Sequence, residues 1–407
     1  MIYNRLQKKD FATFYSLITI VAITISPTIF TEDGTGRNLM LITIMSISPI
    51  ILIIYYGIHK LDWLLIILCA FLIINPLIYN PNTIRWSTML YGCMFCLSFM
   101  AYIKVLEFGG LTGETYLKCL KYLIIAYAAV LLIQQVCVFT GLPIFNVSNY
   151  DPRFPWKLNS LSAEPSHSVR FAAILMFSYL SIKEIIEDKV ISLKDSFKND
   201  FWIWLAFFWV MITSMSSTAF VFIFIILIKY MRLQNIIPML GLLLLVTIII
   251  MISGNTTYER TLRFFLAAIT FDDQLMIRTD PGAAARLAPL IICMKEIDFA
   301  SVASWFGKGV DYASVLMNKH FPSVHTGGGV FALYVEYGFI PFIAYLIFSI
   351  KIVINKFDIA SCFFWLFICL NEGFNMQITW SALILFYTNK YMSNCQEVIP
   401  KSPKNIL

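Results

Sequence analysis

Residues 160–177, "SLSAEPSHSVRFAAILMF", set a carboxylate, an imidazole and a guanidinium against the start of an apolar run. Pro165 suits the first turn of a helix. On that helix Glu164, His167 and Ser168 share a face at i, i+3 and i+4 spacing, and Arg170 lies three residues beyond His167. A helix N-terminus carries free N–H groups and a partial positive charge, so an anion drawn to it would also meet Arg170. Glu164 would stand beside that anion as a proton acceptor. The competing reading makes Glu164 and Arg170 interfacial caps or partners of other loop charges, with Glu164 serving only to hold Arg170. Ionisable groups at a membrane margin are costly unless paired or used.

Later in the chain, "TYERTLRFFLAAI" puts Arg260 and Arg263 three apart on one helix face. "DPGAAARLAPLIICMKEI" starts a second helix after Pro281 and Gly282, with Arg286 near its first turns and Arg278 in the turn before it. "WFGKGVDY" offers a GxG, weak by itself as a phosphate loop. In "HFPSVHTGGGVFALYVEYGFIPF", His325 precedes an apolar run and Glu336 falls about two turns into it. A carboxylate at that depth needs a cation or a wet cavity. The polar tip "TSMSST" at 213–218 sits between two short apolar runs and reads equally as a recess or a plain turn. Asp272 and Asp273 are adjacent loop carboxylates of the solvated kind, the histidines are too dispersed for zinc, and neither a metal nor a cofactor is expected. Cys93 and Cys96 fall inside an apolar run and read as helix-lining residues.

The elements that must position these groups are membrane spans. The 407 residues are 59% apolar and 13% charged, with a mean hydropathy of +0.76, more apolar surface than a soluble domain of this size hides. Apolar runs fall near 12–30, 39–57, 61–79, 86–103, 120–140, 168–183, 197–213, 215–231, 236–253, 327–349, 357–371 and 376–390, about twelve in all. The expected fold is therefore all-α, a polytopic integral membrane protein. Residues 1–407 form a single membrane domain, with an external loop at 141–167 and a large external helical loop at 254–326. With both termini cytoplasmic, 18 of the 30 basic residues lie inside, which keeps the short pairs 197–231 and 357–390 as two crossings each. The bias by residue type is sharper: eight of ten arginines but only four of twenty lysines lie outside. Arginine offers a planar fork suited to phosphate or carboxylate oxygens, so an anionic external ligand is expected. Nothing in the pattern suggests nucleic acid.

The order of these features resembles the bacterial O-antigen polymerase and ligase superfamily: an "EPS" entering a mid-chain span, an arginine helix, a GxG, a histidine and "EYGFIPF". The resemblance covers residues 155–345 loosely. It implies a C-type membrane glycosyltransferase acting on undecaprenyl-pyrophosphate-linked glycan, donor and acceptor both, at the outer face of the bacterial cytoplasmic membrane. On that likeness Arg286 precedes Gly307 and Gly309 as the family's loop arginine does. His325 matches the family's loop histidine, and Glu336 and Gly338 match its "E-x-G". The serine-rich tip departs from the pattern, which often carries arginine or glycine there. The implied roles are Arg170, Arg278 and Arg286 on pyrophosphate, Glu164 or His325 as catalytic base, and His167, Arg260, Arg263 and Glu336 in support. A flippase and a chain-length regulator are the partners such an enzyme works beside, with membrane lipids around it. The "EPS" favours a repeat-unit polymerase over a ligase. A flippase or anion transporter would instead bury charges along many spans and show internal symmetry.

Overall fold

The computed structural model describes residues 2–26, 38–55, 57–109, 111–146, 152, 154–214, 216–230, 263, 266–267, 269–279, 281–320, 327–355 and 358–398. Among them the ordered elements are all helical. In chain order they are α1 (Ile2–Thr24), α2 (Leu39–Ile54), α3 (Asp62–Tyr79), α4 (Trp86–Glu107), α5 (Gly113–Thr140), α6 (Pro165–Glu187), α7 (Leu193–Asn199), α8 (Phe201–Thr213) and α9 (Ser217–Ile228). The later helices are α10 (Asp273–Thr279), α11 (Pro281–Lys295), α12 (Val302–Phe306), α13 (Tyr312–His320), α14 (Val330–Tyr337), α15 (Phe339–Val353), α16 (Ile359–Phe364) and α17 (Gln377–Val398). Three of them, α3, α4 and α5, are long and apolar enough to cross a membrane, and α2, α8, α9, α15 and the α16 segment are shorter apolar helices. The run expected at 236–253, together with Arg260 and His325, lies outside the described residues.

Local chemistry sets the helix ends. Thr112 accepts the Thr115 N–H to start α5, and Gly141, at φ +70°, ends it in the left-handed conformation. The 28 residues between would run about 42 Å at about 1.5 Å per residue, more than a hydrocarbon core needs. Pro165 occupies the first turn of α6, with Glu164 extended before it, as the sequence led one to expect. Nearly all of α6 from Ser168 to Leu180 is buried, because α5, α8, α9 and α17 pack around it. The α8–α9 and α16–α17 hairpins both form, and α16 continues as a wider π-type turn over Trp365–Leu370. At 13 and 12 residues, α8 and α9 are short for a full crossing, and Ser214 and Ser216 at their tip are buried.

One element differs from its expected form. The single span expected at 327–349 is two helices, α14 and α15, broken at Gly338 with φ +94°. A break inside a helix frees its last carbonyls, which in an apolar setting must find donors. All four do. Tyr334 O accepts from Gly338 N at 2.8 Å, Val335 O from Lys308 N at 2.8 Å and Glu336 O from Gly309 N at 3.3 Å. The fourth, Tyr337 O, accepts from Asn75 Nδ2 of α3 at 2.5 Å.

The bundle has two chemically distinct ends. One gathers Lys104 with Asp62, Lys183 with Asp200, Lys229 with Glu184, and His59 with Glu107. The other holds the described residues of the 141–164 loop, the start of α6, helices α10–α13 and the 371–376 turn.

Candidate functional site

The lip of the site is the segment before α6, and a chain of buried amides and hydroxyls builds it. Gln134 of α5 donates to the Phe145 carbonyl at 2.9 Å and accepts from Ser160 N at 2.8 Å. Asn146 Nδ2 donates to the carbonyls of Ser160 at 2.5 Å and Ser162 at 3.1 Å. Ser160 Oγ donates to the Tyr127 carbonyl at 2.6 Å, and the Tyr127 hydroxyl donates to the Thr24 carbonyl of α1 at 2.5 Å. Ser168 Oγ reaches the Asn159 carbonyl and lies 2.7 Å from Ser162 Oγ. A buried polar network satisfied in this way fixes one geometry for the segment.

That segment delivers Glu164 to the surface. Its backbone carbonyl takes the N–H groups of His167 and Ser168, each at 3.1 Å, while its exposed carboxylate accepts from Ser166 Oγ at 3.3 Å. His167 is half-buried one turn further on, among the charges of Arg170, Glu164 and Glu372. Glu164, His167 and Arg170 therefore do converge, as their spacing suggested.

Arg170 is held by a residue that no sequence pattern singled out. Its Nη1 lies 2.5 Å from Oε1 of Glu372, and the two residues are only 7% and 8% exposed. Glu164 is thus not the residue that holds Arg170. Two ions removed from water this far are stable only together. Glu372 lies in "LNEGFNMQ", residues 370–377, the turn between the π-type segment and α17. An ionisable residue between two apolar runs was the signal that could have found it.

The same turn joins the lip to the loop helices. A methyl group placed on Gly329 would lie 2.7 Å from the Leu370 carbonyl oxygen, 3.0 Å from that of Asn371 and 2.7 Å from Leu290 Cδ1 of α11. The 371–376 turn therefore has Arg170 on one side and the α11–α14 contact on the other. Arg286 lies in α11 four residues before Leu290, near the helix start as expected. Arg278 is exposed in the last turn of α10, a correction to its expected place in a turn, because helix continues through Thr279. Arg263 is helical and exposed.

The GxG and E-x-G motifs meet each other. A Cβ on Gly307, where φ is +85°, would lie 2.2 Å from the Glu336 carbonyl oxygen, and one on Gly338 would lie 2.2 Å from that of Trp305. Two backbones thus pass with no room for a side chain on either. Glu336, half-buried, pairs with no cation among the described residues. Its Oε1 accepts from Ala313 N at 3.3 Å in the first turn of α13, where the helix N-terminus supplies partial positive charge. The motif pair is thus a lock between loop and bundle.

Several of the other loop charges are paired or capped. Asp272 caps α10 by accepting from Leu275 N at 2.9 Å, and Asp273 takes Lys295 with His320 at 3.5 Å. Burial would raise the Asp273 carboxyl, but the hydrogen bond and charge of Lys295 outweigh it and hold the group below the usual carboxylate range. Burial would likewise lower the Lys308 ammonium, yet its ion pair with Glu296 holds it above the ordinary lysine value. Among the described residues no group of three or more histidine, cysteine or acidic side chains is arranged to hold a metal ion. Cys93 and Cys96 are buried in α4 as free thiols.

By fold, then, the described residues form an all-helical protein with helices suited to a membrane, and their ion pairs gather toward the two ends of the bundle. No family model, curated protein or solved structure matches it.

Proposed function

We propose that this chain is a bacterial membrane glycosyltransferase that joins undecaprenyl-pyrophosphate-linked repeat units into a surface polysaccharide. With about twelve crossings, it keeps the lysine end in the cytoplasm with both termini and the arginine end outside. The observation that carries this reading is the buried Arg170–Glu372 pair under an exposed Glu164, with the 371–376 turn linking it to the helix that bears Arg286.

In the proposed reaction the bond between the donor's anomeric carbon and its pyrophosphate oxygen breaks, and an acceptor sugar hydroxyl forms the new bond from the opposite face. The hydroxyl proton passes to the Glu164 carboxylate, with His325 the other candidate from the family likeness. The leaving pyrophosphate gathers charge as it departs, and Arg278, Arg286 and the start of α6 supply positive charge for it. Arg170 uses one N–H on Glu372 and has others for a phosphate oxygen. These groups make a divalent cation unnecessary in the proposed reaction, so activity should survive EDTA.

Two cell-based readouts test the reading. Cells lacking the chain should display glycan with single repeat units attached; absence of any attached glycan would favour a ligase, and lipid-linked units trapped inside would favour a flippase. An Arg278→Ala variant at normal expression should give short ladders, and normal ladders would remove Arg278 from the pyrophosphate site.

A further inference from the structure

A short stretch of the loop expected outside the membrane, residues 299–306, carries large apolar side chains on its surface. Phe299 is 56% exposed, Val302 63% and Trp305 41%. A single such residue is ordinary on a protein surface, but three on so short a stretch make a patch that calls for a cover.

Two sets of contacts fix the height of this patch on the bundle. Phe306, at the end of α12, stacks on Tyr79, the last residue of α3, with ring centres 3.9 Å apart. The α3–α4 turn then holds the residues that follow. Asn80 Nδ2 donates to the Gly307 carbonyl at 3.1 Å, Thr83 Oγ1 accepts from Val310 N at 3.3 Å, and Arg85 Nη1 lies 2.6 Å from Asp311 Oδ2. In addition, Phe299 and Trp305 meet Phe339, the first residue of α15, edge to face at 5.4 and 5.3 Å. The patch is thus tied to the ends of three apolar helices. The 18 residues of α3 span about 27 Å at about 1.5 Å per residue, close to the thickness of a hydrocarbon core, so Tyr79 and Trp86 stand at its edge. Both are exposed, as amphipathic rings at a membrane–water boundary are.

The chemistry of the patch favours lipid over sugar. Trp305 spends its side-chain N–H on the Phe299 carbonyl at 3.0 Å, and the side chains of Phe299 and Val302 have no polar atom to offer a glycan hydroxyl. We propose that residues 299–306 are inserted at the boundary of the bilayer leaflet at this end of the bundle, with Phe299, Val302 and Trp305 among the upper acyl carbons. The occupant is the phospholipid surface itself, bound through buried apolar area. The contact holds the Gly307–Gly338 lock at the membrane surface. The proposal rests on α3 and α4 crossing the bilayer and not on the glycosyl-transfer reading.

The test places an environment-sensitive fluorescent amino acid at Val302 of the full-length protein by codon suppression, which leaves the native cysteines untouched. The protein is reconstituted in vesicles of phosphatidylethanolamine and phosphatidylglycerol. Emission should be blue-shifted, quenched strongly by lipid carrying a nitroxide near the glycerol, less by a nitroxide at the chain end, and only slightly by aqueous iodide. A label at Phe299 should behave alike, and it decides the matter if the Val302 variant does not fold. A label at Ile67, exposed near the middle of α3, should instead favour the chain-end nitroxide. Iodide quenching at Ile67 would mean that α3 does not cross, which removes the footing of the proposal. With Ile67 in lipid, a Val302 label quenched chiefly by iodide would overturn the proposal by placing the patch in water. Protection from both quenchers would overturn it too, since protein, such as a second copy of this chain, would then cover the patch.

Discussion

The two ends of this bundle bury charge differently. At one end lysines close the helix termini on carboxylates: Lys104 on Asp62, Lys183 on Asp200 with Glu187 further off at 3.8 Å, and Lys229 on Glu184. At the other the deeply buried cation is Arg170, on Glu372. An ammonium is a compact point charge that one carboxylate can largely satisfy, whereas a guanidinium presents five donors in a plane. The lysine pairs read as fasteners, and the arginine pair reads as a fastener with donors left for something else. The buried serine and amide network beside it supports that distinction, since it fixes the shape of a surface lip that carries an exposed carboxylate.

Four sets of variants put this contrast to the test. The largest effect should come from removing one ion of a buried pair. Glu372→Ala and Asp62→Ala should each cost about 3–5 kcal/mol, seen as lowered melting in detergent, because each strands a buried charge. Replacing both partners by apolar residues should restore stability at either end. Arg170→Met with Glu372→Leu should still fail to polymerise, whereas Lys104→Met with Asp62→Leu should work; equal activity in both would erase the contrast.

Next is the donor geometry itself. Arg170→Lys should keep the charge and the fold but reduce polymerisation by roughly 10²- to 10³-fold, as loss of one charge-stabilising donor does. Lys104→Arg should leave polymerisation near wild type. A small loss for Arg170→Lys would make that arginine purely structural.

Somewhat smaller is the lock between loop and bundle. Gly307→Ala puts a methyl group into the Glu336 carbonyl and should destabilise by on the order of 3 kcal/mol, with protease cleavage appearing first in 263–320. A Gly327→Ala control, where a Cβ meets nothing within 4 Å, should be silent.

The smallest effect is on pH. Asp273 has its carboxyl held below the usual range in the folded loop, so its contribution is present above the unfolded value of about 3.9 and disappears as pH falls through the lower folded value. Its partner Lys295 is half exposed, which limits that contribution to under about 1 kcal/mol. Hydrogen exchange of α10 and α11 amides, corrected for intrinsic rate, should therefore accelerate only modestly between pH 5 and pH 3, and Asp273→Asn should remove the change.

Much of this architecture was legible in the chain. Apolar runs, Pro165 and the short paired segments located helices, because helix length and proline placement are local properties. The convergence of Glu164, His167 and Arg170 followed from helical spacing alone. Glu372 did not, because it meets Arg170 across some two hundred residues and its own neighbourhood reads as an ordinary turn. Nor did the role of Glu336. Depth in an apolar run flagged it as needing a partner, and the group the structure sets against its carboxylate is a backbone N–H at the start of α13 rather than a cation. The break at Gly338 was hidden for the same reason: the donors that make it tolerable come from the GxG some thirty residues earlier and from Asn75.

The proposed glycosidic bond formation at the arginine end is tested most directly with the purified protein, reconstituted in liposomes with a defined undecaprenyl-pyrophosphate-linked repeat unit. Polymer of increasing length should appear with release of undecaprenyl pyrophosphate, and it should fall sharply with Arg170→Lys. Recovery of the repeat unit unchanged from correctly folded wild-type protein, with or without its movement across the bilayer, would contradict that assignment.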